Sequence, residues 1–265
     1  MNPKPLIIIG GGVFGLSTAL SAMHQGYKVT VFSENSDLAA HSDISKIVRI
    51  DYTSRKRMLE AQRAQKAWET EPLFKPYYKQ NHRFVIFNEQ NHQTLDKINE
   101  ARSQCGLRKR EETNDRGAYH SHNTASDKSM WTYNPDDGQV DWANFISNLR
   151  KYLAQRGCEF YITKVRKVIH EDGKAIALDT VSSGEISINN AELLLAPGAW
   201  TLSLFQESKI NPPPSIKPTG IFAFEVKLDK EVLQRIRDAP VISEIGTGKP
   251  HILCYEVYNA NESHS

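Results

Sequence analysis

Apolar residues along this chain fall into two patterns, short unbroken runs and helical stripes. Leu6-Ile7-Ile8-Ile9 is such a run, and it ends abruptly at Gly10-Gly11-Gly12. A wholly apolar stretch of this length fits a central parallel strand covered on both faces. Val13 to Gln25 reads as a helix, with Phe14, Leu16, Leu20 and Met23 available for packing, and Lys28 to Phe32 as a second strand. Tyr52 to Trp68 has a helical stripe of Met58, Ala61, Ala64 and Trp68, and Arg83 to Phe87 reads as a strand. Thr94 to Cys105 predicts a helix presenting Leu95, Ile98 and Cys105, whereas Lys109 to Lys128 is polar enough to predict an exposed loop. Asp141 is placed to cap a helix through Arg156, with Phe145, Ile146, Leu149 and Leu153 as its apolar face and Gly157 as its stop. Strands follow at Glu159 to Ile162 and Val165 to Val168, then a hairpin from Ala175-Leu178 through Ser182-Ser183-Gly184 to Ile186-Ile188. Glu192 to Leu195 is a second apolar strand, and Lys217 to Leu228 alternates Phe222, Phe224, Val226 and Leu228 onto one face.

Chemistry enters at the first strand's end. Gly10-x-Gly12-x-x-Gly15 lies between a strand and a helix, where a dinucleotide site requires it. Gly10 permits the tight turn, Gly12 lets the backbone approach a pyrophosphate, and Gly15 lets helix and strand pack closely. The pyrophosphate would rest on the unpaired N–H groups of the helix N-terminus, beside Val13 and Phe14. A plain glycine turn closing a βαβ unit is the alternative. In this fold an acid about twenty residues after the glycines holds the ribose hydroxyls, and here the strand-end residue is Ser33, followed by Glu34. Neighbouring side chains on a strand point to opposite faces, so Glu34 serves the ribose only if the strand has ended before it.

Composition narrows the partners. A chain of 265 residues has room for a large core, and a net charge of +2 predicts no nucleic-acid partner. Arg55-Lys56-Arg57 falls in a predicted helix and reads as a solvated face. Three scattered cysteines, Cys105, Cys158 and Cys254, fit a reducing compartment better than a disulfide framework or zinc site. His120 and His122 read as polar surface, so no metal is expected. No apolar run approaches the ~20 residues of a membrane span, and the first strand begins too early for a signal peptide. The expectation is a soluble cytoplasmic protein with no membrane partner.

Three motifs together carry a family resemblance: Gly10 to Gly15, Ser42-Asp43-Ile44-Ser45-Lys46-Ile47-Val48-Arg49, and Ala196-Pro197-Gly198-Ala199-Trp200-Thr201. In order and spacing they resemble the sarcosine oxidase and fructosyl amino acid oxidase family of the D-amino-acid-oxidase superfamily, over roughly residues 5–240. The resemblance implies an α/β fold: a Rossmann-like FAD-binding βαβ domain with an interleaved, incomplete mixed-sheet substrate domain. It divides the chain into FAD-binding segments at 1–80 and 136–205 and substrate-domain segments at 81–135 and 206–265. It implies FAD as cofactor, with Ser42, Asp43, Ser45 and Lys46 along the flavin, Val165 at the adenine, and Gly198 and Trp200 in a turn approaching the cofactor. Lys46 would sit beside the isoalloxazine and Arg49 would clamp the substrate carboxylate. A cation near the flavin stabilises the anionic reduced ring, and a guanidinium fork grips a carboxylate bidentately.

The implied reaction is oxidation of the C–N bond of an N-substituted amino acid, in amino-acid catabolism or specialised metabolism. Hydride would pass to the flavin, and O2 would reoxidise it to give H2O2. The family resemblance leaves the peroxisome open, although the chain ends without an SKL-type signal. Family members continue well past Ser265, so a non-catalytic nucleotide-binding remnant or interaction protein is the alternative. A nicotinamide-dependent dehydrogenase is a third reading, disfavoured by residues 42–49 and 198–200.

Overall fold

The computed structural model describes residues 4–34, 39, 45–113, 128–188, 190–213, 215–218, 229–236, 240–245 and 254–255. The chain forms two compact units, residues 1–44 with 142–220 and residues 45–141 with 221–265.

In the first unit, strand β1 (Pro5–Ile9) runs parallel to β2 (Lys28–Ser33) on one side and to β12 (Glu192–Leu195) on the other. Strand β8 (Glu159–Ile162) extends the sheet beyond β2, again in parallel. The order β12-β1-β2-β8 makes β1 an interior strand, as its unbroken apolar run predicts. Helix α1 (Val13–His24) connects β1 to β2 and buries Gly15, Leu16, Ala19 and Ala22. Phe14, expected to pack, is instead 79% exposed, because the buried face starts one residue later and continues with helical spacing. Helix α4 (Trp142–Gln155) buries Trp142, Phe145, Ile146, Leu149 and Leu153. Gly157 takes φ +94 just beyond its end, the left-handed conformation that glycine adopts at helix stops.

Strands β9 (Val165–Glu171), β10 (Lys174–Thr180) and β11 (Gly184–Ser187) form an antiparallel sheet in the same unit. Val168, Leu178 and Ile188 pack there with Ile9, Phe32 and Leu204 of helix α5 (Thr201–Glu207). This cluster lies at the carboxyl ends of β1 and β2, the end at which ligands bind in open α/β sheets.

In the second unit, β5 (Arg83–Phe87) is buried at all five positions. It pairs in antiparallel fashion with β6 (Met130–Asn134) and in parallel with β13 (Val241–Ile245), which pairs with β14 (Cys254–Tyr255). Val85 and Phe87 pack with Met58 of α2 (Arg55–Thr70) and with Leu95, Ile98 and Ala101 of α3 (His92–Gln104). Phe84 and Ile86 join Trp131 and Ile242 in a separate cluster, as alternation along a strand dictates. A second sheet has the order β3-β7-β4, from β3 (Ser45–Val48), β7 (Gly138–Asp141) and β4 (Tyr78–Gln80). Helix α6 (Lys230–Ile236) also belongs to this unit.

Several sequence expectations differ from this arrangement. Residues 45–80 group with the second unit, because β3 and β4 both pair with β7 rather than with the parallel sheet. The unit boundaries therefore fall at 44/45, 141/142 and 220/221. Helix α2 buries Met58 and Gln65, leaving Ala64 of the expected stripe exposed. Arg110, expected in an exposed loop, is buried beside Asp51. His120, His122 and residues 219–228 of the strand expected over Lys217 to Leu228 lie outside the described residues.

Candidate functional site

The first unit gathers most of the predicted nucleotide-binding positions at one end of its parallel sheet. Gly10 takes φ +115, and a Cβ there would lie 2.1 Å from the carbonyl oxygen of Ala196. A Cβ on Gly15 would lie 1.8 Å from the carbonyl oxygen of Gly10. Side chains are thus excluded at both positions by backbone. Ala196 N–H donates to Ile9 at 2.8 Å and Gly10 N–H to Phe32 at 2.8 Å, tying the loop to β12 on one side and β2 on the other. Gly198 follows Ala196 with φ +60 and opens a short 3-10 turn ending at Trp200, which is 37% exposed.

Gly12 is the N-cap of α1, where no side-chain cap bond is made, and the first turn carries no acid. The first N–H groups of a helix lack intrahelical acceptors, and the dipole adds positive potential there. This end of α1, with Val13 and Phe14 exposed beside it, suits an anion. Ser33 completes β2 and is 5% exposed. Glu34 stands beyond the strand and is exposed, which meets the condition under which it could serve a ribose. Thr163 N–H donates to the Ser33 carbonyl at 3.1 Å, which places Val165, two residues on, close to the end of β2. Gly10, Gly12, Val13, Phe14, Gly15, Ser33, Val165, Gly198 and Trp200 all belong to this unit.

The remaining predicted residues lie in the second unit or outside the described residues. Lys46, on β3, is half-buried and opposite Val140 in the strand register. Arg49, just after β3, is exposed, with its guanidinium 5.1 Å from the ring centre of Tyr52. Ser42, Asp43 and the side chain of Ser45 are outside the described residues.

Sequence reasoning missed a buried ionic network two residues from Arg49. Asp51 accepts from Arg102 Nη1 through one carboxylate oxygen, and from Arg110 Nε and Asn134 Nδ2, each at 2.9 Å, through the other. Arg83 pairs with Asp137, whose carboxyl is pushed above its ordinary range by burial, against the lowering effect of the Arg83 charge. A cavity of about 20 Å³, enough for one water-sized group, is lined by Arg49, Asp51, Arg83, Arg110, Thr132 and Asn134 together with apolar residues. The pairing joins Asp51 to partners 51 and 59 residues away, so no local pattern marks it.

Similarity to known proteins then decides the class. The family model described as DAO, FAD dependent oxidoreductase, matches residues 5–253. The chain belongs to this family. No curated protein matches its sequence. Among solved structures, a modified fructosyl peptide oxidase from Aspergillus nidulans in complex with FSA is similar at TM-score 0.71 and 19% identity, covering 92% of this chain and 60% of that one. Amadoriase I, a fructosyl amine:oxygen oxidoreductase from Aspergillus fumigatus, gives 0.69 and 19%, with 93% and 59% covered. The fructosamine oxidase Amadoriase II from the same organism gives 0.70 and 19%, with 92% and 59% covered. The chain spans about 60% of the length of these structures, and the shared feature is the fold. The expected place among FAD-dependent oxidoreductases of this superfamily therefore holds, and the cofactor of the family is FAD.

The first unit fits that group. The loop excludes Cβ atoms at Gly10 and Gly15, and the end of α1 presents uncapped donors where a pyrophosphate would lie. Among the described residues no helix is long and apolar enough to cross a membrane, and no cluster of His, Cys, Asp and Glu has the makings of a metal site.

Proposed function

We propose that this chain carries the FAD-binding and carboxylate-binding parts of an oxidoreductase acting on the C–N bond of an N-substituted amino acid. The observation that carries the reading is the uncapped end of α1, preceded by a glycine loop that is closed by Gly10 against Ala196 and by Gly15 against Gly10. Gly10, Gly12, Val13, Phe14 and Gly15 would hold the pyrophosphate, Glu34 with Ser33 the ribose, Val165 the adenine, and Gly198 with Trp200 the approach to the ring. The redox chemistry supplied by bound FAD is removal of hydride from the carbon beside the amine nitrogen, with O2 as the terminal acceptor and H2O2 as product.

The protein's own work is binding and orientation. Lys46 would place a cation by the flavin, with Ser42, Asp43 and Ser45 on the same segment. Arg49 would grip the substrate carboxylate, and Asp51, two residues on, has its side chain held by Arg102 and Arg110. Fructosyl amines are a natural substrate class to screen, given the names of the similar structures.

The test is the visible spectrum of the purified chain after incubation with FAD and removal of free cofactor. Retained flavin bands, bleached anaerobically by an N-substituted amino acid, support the reading. A chain that retains no flavin overturns it. Arg49→Ala should raise KM for carboxylate-bearing substrates at least tenfold, as expected for loss of a bidentate charge-assisted pair worth about 1.5–3 kcal/mol, while leaving FAD retention unchanged. Equal losses in both would remove Arg49 from the carboxylate role.

A further inference from the structure

The glycine loop is braced by a residue that the dinucleotide fingerprint does not include. Arg150 projects from α4, and its Nη2 donates to the carbonyl of Gly11 at 3.0 Å. A Cβ on Gly11 would lie 3.1 Å from the same guanidinium nitrogen and 2.5 Å from Ser33 Oγ, so the loop backbone is sandwiched between Arg150 and the end of β2. All three residues belong to one compact unit. Burial lowers the Arg150 pKa, so holding a cation here has a solvation cost.

Two consequences follow from elementary geometry and charge. Among the described residues every peptide bond is trans, and in a planar trans peptide C=O and N–H point in opposite directions. Fixing the Gly11 carbonyl towards Arg150 therefore turns the N–H of Gly12, the N-cap residue of α1, away from Arg150. The guanidinium also adds a full positive charge to the partial charge of the helix end. Meanwhile the strand-end position that commonly supplies a carboxylate to the ribose is Ser33, buried under Gly11.

We propose that Arg150 is a cofactor-positioning residue, which orients the Gly11–Gly12 peptide and supplies charge beneath it for the diphosphate of FAD. This rests on the FAD-binding reading above. The ligand chemistry recognised is a nucleoside diphosphate, so ADP serves as a probe that lacks the flavin.

The experiment is calorimetric titration of the full chain with FAD and with ADP at two salt concentrations, for the natural protein, Arg150→Met and Arg150→Lys. Arg150→Met should weaken both ligands about tenfold or more, as loss of a charged hydrogen bond predicts, and should flatten the salt dependence of binding. Arg150→Lys keeps the charge and should keep the salt dependence while recovering part of the affinity. A purely structural role would lower the melting temperature of the unliganded chain and leave the salt dependence unchanged, which overturns the proposal. Affinities of Arg150→Met within twofold of the natural protein overturn it too. Should Arg150→Met fail to fold, Arg150→Lys decides: severalfold weaker binding with natural salt dependence supports the proposal, and natural affinity overturns the orienting hydrogen bond. A natural chain that binds neither ligand refutes the FAD reading itself, an outcome distinct from the others.

Discussion

Asp51→Asn gives the sharpest test of the second unit's energetics. Three donors converge on the two oxygens of Asp51, and the side chains of Asp51, Arg102 and Arg110 are 6%, 4% and 7% exposed. The amide leaves one acceptor where there were two, turns an NH2 towards a donor, and removes the only charge that faces Arg102 in the described ion pairs. Arg110 retains Asp136 at 3.3 Å, but that carboxylate is 52% exposed and screened by solvent. Breaking a buried ion pair from one side costs about 3–5 kcal/mol, equivalent to a fall in melting temperature of about 10 °C for a protein of this size. The loss should be read by urea and thermal unfolding beside Asp179→Asn, which cuts an ion pair with the exposed Arg166 and should leave the midpoint in place. The urea m-value should not change, since the surface exposed on unfolding is the same. Equal midpoints for the two variants would refute the view that these buried charges depend on Asp51.

Other expectations address the loop and the thiols. Gly15→Ala should abolish FAD retention and destabilise the first unit by about 1–3 kcal/mol or more through overpacking, because its Cβ meets backbone at 1.8 Å. Gly157→Ala, with φ +94 but open space around the added carbon, should cost only about 1–2 kcal/mol and leave FAD retention intact. Full FAD retention by Gly15→Ala would remove the loop from the binding site. The Cys158 thiol is pushed up to about 11, chiefly by burial and secondarily by Glu159. At pH 8 it therefore stays protonated and should resist iodoacetamide, whereas the half-exposed Cys105 should react, as peptide mapping would show. Labelling of native Cys158 as fast as in the denatured chain would contradict its burial.

What could be read from the sequence was what is encoded locally. The run Leu6–Ile9 and the spacing Gly10, Gly12, Gly15 specify strand, turn and helix within ten residues, and the structure keeps them in that order. The stripe Phe145, Ile146, Leu149, Leu153 likewise marks the buried side of α4. Long-range choices were hidden. Arg110 lies in a polar run that reads as surface, and only its distant partner Asp51 makes burial tolerable. Arg150 lies outside the apolar stripe of α4, so periodicity gives it no role, although it touches Gly11 across 139 residues of chain. Phe14 shows the converse: an apolar residue in a helix reads as core, but its place at the helix N-terminus leaves it uncovered. The grouping of residues 45–80 depended on strand pairing with β7, which no local signal announces.

The interleaving of the two units bears on the order in which the protein is made. Leu6 pairs with Glu192, and Arg83 with Val241, so each main sheet encloses a strand that waits for a much later partner. At synthesis rates of about 5–20 residues per second, β12 follows β1 by about 10–40 s. During that interval one edge of β1 is unpaired, and all of the first segment of the second unit is synthesised before the first unit can close. The second unit in turn awaits β13, made after the first unit's last residues. Neither unit can close before part of the other has been made, and the exposed edges of β1 and β5 are where a nascent chain of this fold is most open to mispairing or to a chaperone.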